Sequence, residues 1–156
     1  MNESHRAKLG YLYNWAAAVG VADGLKQTEN FTEPRQGICP NGWHIPTLAE
    51  WNTLIDFIEK SDGKGIASAG KYLKTTSGWN ENGNGSDSYG FAVLPGGFSY
   101  ATSIYQVGFL SHFWTATVGG SSKEKAFERT FAYDSDQCGS DPYDKNIGQS
   151  VRCVKN

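Results

Sequence analysis

Two segments near opposite ends of the chain constrain its fold most. The first, Ile38-Cys39-Pro40-Asn41-Gly42-Trp43-His44-Ile45-Pro46-Thr47-Leu48-Ala49-Glu50-Trp51, reads as a locked turn feeding a capped helix. Pro46 fixes the entry, Thr47 can accept from the free amides of the first turn, and Glu50 three residues on completes a capping box. The second, Ser150-Val151-Arg152-Cys153-Val154, reads as a short buried strand. Together they predict a closed domain tied between its first helix and its last strand.

Behind Thr47 the apolar residues Leu48, Trp51, Leu54, Ile55 and Ile58 recur at intervals of three and four, so residues 47–60 predict a helix with one face on the core. Residues 9–13 alternate apolar with small or aromatic positions and predict a first strand, followed by a short turn of helix at Trp15-Ala16-Ala17-Ala18. Residues 20–37 read as a loop and 66–73 as a second, shorter helix. Residues 77–87 must turn repeatedly, because Asn and Gly tolerate positive φ there. Short strands are predicted at 91–94, 97–100, 112–117, 126–133 and 149–154. Helices first and antiparallel strands afterwards give an α+β layout, loop-rich and without internal repeats.

At 156 residues the chain is expected to form a single domain over 1–156, with residues 1–8 disordered. Nineteen glycines, 13% aromatic and only 19% charged residues describe packing that rests on large rings. The net charge of −2 offers no electrostatic footprint for nucleic acid or an anionic membrane. No apolar stretch approaches a membrane span, so no direct insertion by this domain is expected. Met1-Asn2-Glu3-Ser4-His5 lacks the apolar region of a signal peptide, and the chain reads as a trimmed mature domain whose leader or anchor lies outside it. Cys39, Cys138 and Cys153 allow one disulfide with one thiol over, and none forms the close pair of a zinc or redox motif.

The chemistry-bearing motifs are weak. His44 stands between Trp43 and Ile45 without a second His or carboxylate at ligand spacing, and His112 lies in a predicted strand beside Phe113 and Trp114. Asn80-Glu81-Asn82-Gly83-Asn84-Gly85 has oxygen-bearing side chains in a calcium-loop rhythm, but neutral amides stand where the first Asp belongs and Phe91 where the last Glu belongs. No Gly-x-Ser-x-Gly elbow is present. No catalytic residue, metal ligand or cofactor is assigned.

Ile45-Pro46-Thr47-Leu48-Ala49-Glu50-Trp51 is similar to the Leu-Pro-Thr-Glu-Ala-Glu-Trp of the formylglycine-generating enzyme family, and Ser150-Val151-Arg152-Cys153 to its Gly-Phe-Arg-Cys. That enzyme's copper-holding pair of cysteines has only Cys138 in its place, so the resemblance implies the scaffold without its catalyst. Nearly the whole chain resembles the Fibrobacter succinogenes major paralogous domain family. Its further matches are Tyr11-Leu12-Tyr13-Asn14-Trp15, Ser77-Gly78-Trp79-Asn80, Tyr89-Gly90-Phe91-Ala92-Val93-Leu94-Pro95-Gly96-Gly97-Phe98 and Phe113-Trp114-Thr115-Ala116-Thr117. The resemblance implies a C-type lectin-like fold, a secreted or surface-exposed bacterial protein and a Cys39–Cys153 disulfide. Such a bond would contribute about 4 to 5 kcal/mol in the chain-entropy model and places the domain outside the cytoplasm.

Some proteins of this fold resemble targets of diversity-generating retroelements, in which adenine-directed mutation varies a C-terminal segment. The scatter of residue types between Phe113 and Val151 suits such a surface, with Cys138 an accidental product and an alkylatable thiol. The implied function is non-catalytic recognition of a protein or glycan ligand. The candidate ligand-binding residues are Trp114, Phe127, Tyr133, Asp134, Asp136, Gln137, Ser140, Asp141, Tyr143 and Asp144, which mix rigid rings with adaptable polar groups. The alternatives are a formylglycine-generating-type enzyme or its degenerate descendant, and a purely structural surface or adhesin module.

Overall fold

The structure, a computed structural model, describes residues 8–21, 33–62, 68–119 and 122–156. Among the described residues, the helices α1 (Trp15–Val19), α2 (Leu48–Asp62) and α3 (Ala69–Leu73) accompany eight short strands. These are β1 (Trp43–His44), β2 (Phe98–Tyr100), β3 (Ser103–Tyr105), β4 (Leu110–Val118), β5 (Lys125–Ala132), β6 (Cys138–Gly139), β7 (Pro142–Asp144) and β8 (Val154–Lys155). The paired strands are all antiparallel, in small sheets β1-β8, β2-β3 and a larger one centred on β5, so the chain is α+β.

The α2 start is the predicted capping box. Thr47 donates its backbone N–H to Glu50 Oε2 at 2.8 Å, and Thr47 Oγ1 accepts from the Glu50 N–H at 3.2 Å. The helix start is anchored to β4, because the Leu48 N–H donates to Thr117 Oγ1 and the Ala116 N–H to the Pro46 carbonyl, both at 3.0 Å. Trp51, Ile55 and Ile58 are buried from the predicted face. At α1, Asn14 caps the start by accepting from the Ala17 N–H, and Gly20 ends it in the left-handed conformation, φ 72°, that glycine adopts without strain.

The closure is as the resemblance implies. Cys39 and Cys153 are disulfide-bonded, with Cα atoms 5.8 Å apart across 114 residues. Beside them β1 pairs β8, Trp43 opposite Lys155 and His44 opposite Val154. The turn from β1 into α2 brings His44 a carboxylate that sequence spacing did not reveal, and the end of the chain beyond β8 brings it Asn156. The His44 Nε2 donates to Glu50 Oε1 at 2.8 Å while Nδ1 donates to Asn156 Oδ1 at 2.6 Å, an arrangement that needs a proton on both nitrogens. Burial opposes that charge, but the Asn156 and Glu50 hydrogen bonds and the Glu50 charge outweigh it and raise the His44 pKa above 6.5. Burial likewise opposes ionisation of Glu50, yet bonds from Thr47 and His44 win and lower its pKa below 4.5.

These shifts set a pH window. The Glu50 contribution is whole above pH 4.5 and lost as pH falls through its lower folded value, whereas that of His44 is whole below pH 6.5 and lost as pH rises through its higher folded value. A double-mutant cycle of His44→Ala and Glu50→Gln should therefore give its largest coupling near pH 5.5, about 0.5 to 1 kcal/mol because Glu50 is partly exposed. Equal coupling at pH 5.5 and pH 8 would count against a charged pair.

The β4–β5 sheet carries a core on each face. One holds Trp114, Ala116 and Ala126 against Trp15, Ala18, Val19, Cys39, Ile45 and Ile147. The other holds Phe113 and Phe131 against Trp51, Ile55, Ile58, Ala69, Leu73, Trp79 and Val93. A sheet covered on both faces needs no polar side, which is why β4 is buried without interruption from Ser111 to Ala116.

Several expectations are corrected. Residues 9–13 are not a strand: Leu9 continues helical backbone from Lys8, Gly10 breaks it at φ 79°, and Tyr13 alone bridges to Gln149. Residues 91–94 make a single bridge, Val93 to Lys74, because Ala92 at φ 57° turns the chain out of a ladder. The 149–154 strand is confined to β8, while Gln149 and Ser150 bridge to Tyr13 and Phe113 separately. Of the predicted 66–73 helix only α3 falls in described residues apart from Ser68 before it, and most of the 20–37 loop lies outside them. The expectation for residues 1–8 lies outside them too, except at Lys8. Strands β1, β3, β6 and β7 were not foreseen. Among the described residues no helix is long and apolar enough to cross a membrane.

Candidate functional site

Most candidate residues follow β5 along the open edge of its sheet. Thr130 and Phe131 face Gly139 and Cys138, while Lys125, Ala126 and Phe127 face Asp144, Tyr143 and Pro142. Between the two runs the Glu128 N–H donates to the Asp141 carbonyl at 3.1 Å. The register is unbroken, so β6 and β7 are one edge strand interrupted at Ser140 and Asp141. Irregular pairing of this kind is how sheets keep an edge from recruiting another strand. It leaves Asp134, Asp136, Gln137, Asp141 and Asp144 exposed on a fixed backbone.

The residues divide between two clefts. The first, of about 510 Å³, is lined by Lys74, Asn82, Gly83, Asn84 and residues 133–137. The buried Lys74 holds this turn in place by donating to the carbonyls of Ala132 at 2.8 Å and Ser135 at 2.9 Å, with its ammonium 5.2 Å from the Trp79 ring centroid. Burial lowers the Lys74 pKa against the opposing pull of Asp136 and Asp134. The Lys71 N–H donates to the Asp136 carbonyl, and Gly70 makes this approach possible: a Cβ there would lie 2.2 Å from the Gln137 carbonyl oxygen. The charges of Glu81 and Asp134 raise the Tyr133 pKa.

The second cleft, of about 500 Å³, is lined by His112, Lys125, Glu128, Thr130, Asp141, Pro142, Tyr143 and Asp144. Ala126, Glu128 and Thr130 alternate with residues of the other face and so share one side of β5 with His112 on β4, opposite Thr130. His112 Nδ1 donates to Glu128 Oε2 at 2.7 Å, and the Thr130 hydroxyl donates to Glu128 Oε1. Both members of the pair are buried, at 4% and 2% exposure. Tyr143 sits beside them, its ring centroid 5.7 Å from that of His112, and burial followed by the Glu128 charge raises its pKa.

Trp114 must be withdrawn from the candidates. Its side chain is fully buried and its indole N–H donates to the Tyr13 carbonyl at 2.8 Å, so it is a core residue that packs α1 on the sheet. Phe127 is half-buried and lines neither cleft. Ser140 is half-buried with its hydroxyl enclosed and without a hydrogen-bond partner, facing away from Asp141. Tyr133 and Tyr143 belong to different clefts on opposite sheet faces, so the ten candidates do not make one patch.

Sequence reasoning missed His112, Glu128, Thr130 and Lys74. Glu128 and Thr130 did carry a signal, since at strand spacing they share one face with the apolar Ala126 and Ala132. Pairing to His112 had no such signal.

Cys138 is a free cysteine whose thiol burial pushes up to about 12, against the Arg129 charge and hydrogen bond that pull it down. It is thus the wrong kind of thiol for a nucleophile or metal ligand at neutral pH. Iodoacetamide at pH 8 should label it about a thousandfold more slowly in the native protein than in urea, the ratio of the two thiolate fractions. Equal rates would mean that the thiol is open to solvent.

Among the described residues, no three of His, Cys, Asp and Glu are placed to share a metal ion. Fold and site together define a disulfide-closed α+β scaffold that presents an irregular polar strand at its C-terminal edge. The chain belongs to the Fibrobacter succinogenes major domain family, whose family model matches residues 1–155. Neither a curated protein nor a solved structure matches it.

Proposed function

We propose that the chain is a non-catalytic, extracytoplasmic recognition domain of C-type lectin-like fold whose C-terminal edge binds a protein or glycan ligand. The observation that carries this reading is the edge itself: residues 133–144 offer exposed carboxylates, an amide and two tyrosines on backbone pinned by Lys74, Lys71 and the β5 ladder. Side chains displayed on rigid backbone lose little entropy on binding, and the exposed ones, Asp134, Asp136, Gln137, Asp141 and Asp144, can change in identity without disturbing the two cores. A tolerant rim of this kind fits a segment diversified by a retroelement. The disulfide supports an oxidising compartment.

The combined substitution Tyr133→Ala, Gln137→Ala and Tyr143→Ala should abolish saturable binding in a screen of a glycan array and a displayed peptide library. The variant should stay folded with its thermal midpoint lowered by about 4 to 12 °C, because Gln137 is exposed but both tyrosines are half-buried against the cores. Binding retained by the triple variant, or no saturable binding to either collection, would overturn the reading.

A further inference from the structure

A third cleft, of about 290 Å³, lies between the start of α2 and the end of the chain and shares no lining residue with the two at the C-terminal edge. Pro46, Trp51, Leu54, Phe91 and Val154 line it with apolar surface, and Glu50 and Arg152 are its charged groups. Glu50 is already engaged, with one carboxylate oxygen on His44 and the other on Thr47. Arg152 is not. Its guanidinium carbon lies 4.2 Å from the centroid of the Phe91 ring, which meets the Trp51 ring edge to face at 5.6 Å. A stack of one cation on two aromatic side chains thus borders the cleft.

A guanidinium keeps its charge and its five N–H donors at any ordinary pH. Among the described residues none accepts from those of Arg152, and it takes part in none of the ion pairs, which are His44 with Glu50, Lys60 with Asp56 and His112 with Glu128. Asp87 acts on it only through space, with one oxygen accepting from the Ala92 N–H; that pull is outweighed by burial, which lowers the Arg152 pKa. Unlike the His112 Nε2, the guanidinium nitrogens are not enclosed, so a ligand can reach them. A neighbouring cleft of about 330 Å³, which takes in the exposed Tyr11, Ile38 and Leu94, shares Arg152 and Cys153 with the third. The half-buried cation therefore stands between two apolar surfaces without a counter-ion.

Charge complementarity calls for an anion with an apolar body. The planar fork of an arginine matches a carboxylate, which can accept two parallel hydrogen bonds from it. Glu50 and Asp87 nearby disfavour a second negative charge, so a singly charged group suits the site better than a phosphate. The volume is at the small end of ligand pockets and admits a body the size of one or two side chains. We propose that this cleft binds a carboxylate carried on an apolar body, such as a hydrophobic C-terminal residue of a peptide or a small aromatic or aliphatic acid presents. Arg152 is the anchor, and Trp51, Leu54, Phe91 and Val154 are the walls. The site is separate from the C-terminal edge, and neither reading depends on the other.

The test is a titration with phenylpropionate, with hexanoate and with the peptide acetyl-Gly-Gly-Phe, each as the acid and as the amide, followed by indole ¹H–¹⁵N spectra. At least one acid should bind with a dissociation constant of about 1 mM or below. It should shift the Trp51 signal and leave in place those of Trp15 and Trp114, whose N–H groups are bonded within the core. The matching amide should bind at least about tenfold more weakly, and so should the acid to Arg152→Gln. Leu54→Glu, which sets a carboxylate in the wall at a half-buried position of α2, should weaken the acid as much and decides the matter if Arg152→Gln does not fold. Asp134→Ala with Gln137→Ala should leave acid binding unchanged. Binding of the peptide acid alone assigns the site to a chain terminus, and binding of the small acids alone to a free acid; either supports the proposal. Equal binding of acid and amide, an unmoved Trp51 signal, binding that survives Arg152→Gln, or no binding by any acid overturns it. Those results leave the reading of the C-terminal edge as it stands, since that edge is tested by its own substitutions.

Discussion

Replacing Cys39 and Cys153 together by alanine is expected to lower the unfolding free energy by about 4 to 5 kcal/mol and the thermal midpoint by about 10 to 18 °C. The bond spans 114 residues, so its loss frees nearly the whole chain in the unfolded state. What remains in the native state is a two-residue ladder between β1 and β8, and the contacts that His44 makes with Glu50 and Asn156. Those exchanges are too small to replace it, being worth about 1 kcal/mol each. Scanning calorimetry of the double variant, or of the wild type with and without reductant, measures the loss. A fall of less than about 3 °C would show that the β1–β8 pairing closes the domain unaided.

Trp114→Ala is expected to cost a further about 3 to 5 kcal/mol, the range for removing a large buried ring. The indole is fully buried between α1 and β4, and its N–H is a hydrogen-bond partner for the Tyr13 carbonyl. Truncation opens a cavity beside Trp15, whose own indole N–H donates to Thr115 across the same seam. Substitutions at Asp134 or Gln137, which stand in water, should stay within about 0.5 kcal/mol. Urea midpoints of the three variants separate scaffold from display. A Trp114 variant as stable as the wild type would return that residue to the surface and remove the reason for withdrawing it.

The contrast between these residues shows where sequence reasoning worked. The capping box at Thr47 and Glu50 and the apolar face of α2 were legible because both depend on neighbours within a turn or two. Strands β4 and β5 were legible as long runs rich in aromatic and β-branched residues, to within a residue or two of their ends. The short pieces β3, β6 and β7 were not. Two or three residues give no periodicity to read, and these are strands only because a partner lies beside them. Residues 91–94 show the reverse error: their apolar composition suits a strand, but the positive φ of Ala92 removes them from any ladder.

The candidate site divides in the same way. Asp134, Asp136, Gln137, Asp141 and Asp144 were identified by composition, which reports exposure well. Trp114 was misplaced because aromatic rings serve cores and binding surfaces equally, and only burial separates the two roles. His112 looked solitary because its partner Glu128 is set by the β4–β5 register, with Thr130 directly opposite.

Local sequence was thus enough to determine the α+β class, the long helix and its cap, the central strand pair and the family to which the chain belongs. Tertiary structure alone decided that the rim of polar residues opens into two clefts on opposite sides of one sheet, and that a buried imidazole with an unsatisfied nitrogen lies under one of them. The physical reason is range. Helix caps and periodicities are written in residues a few positions apart, whereas a cleft forms where distant strands are held side by side, and that register is a property of the packed sheet.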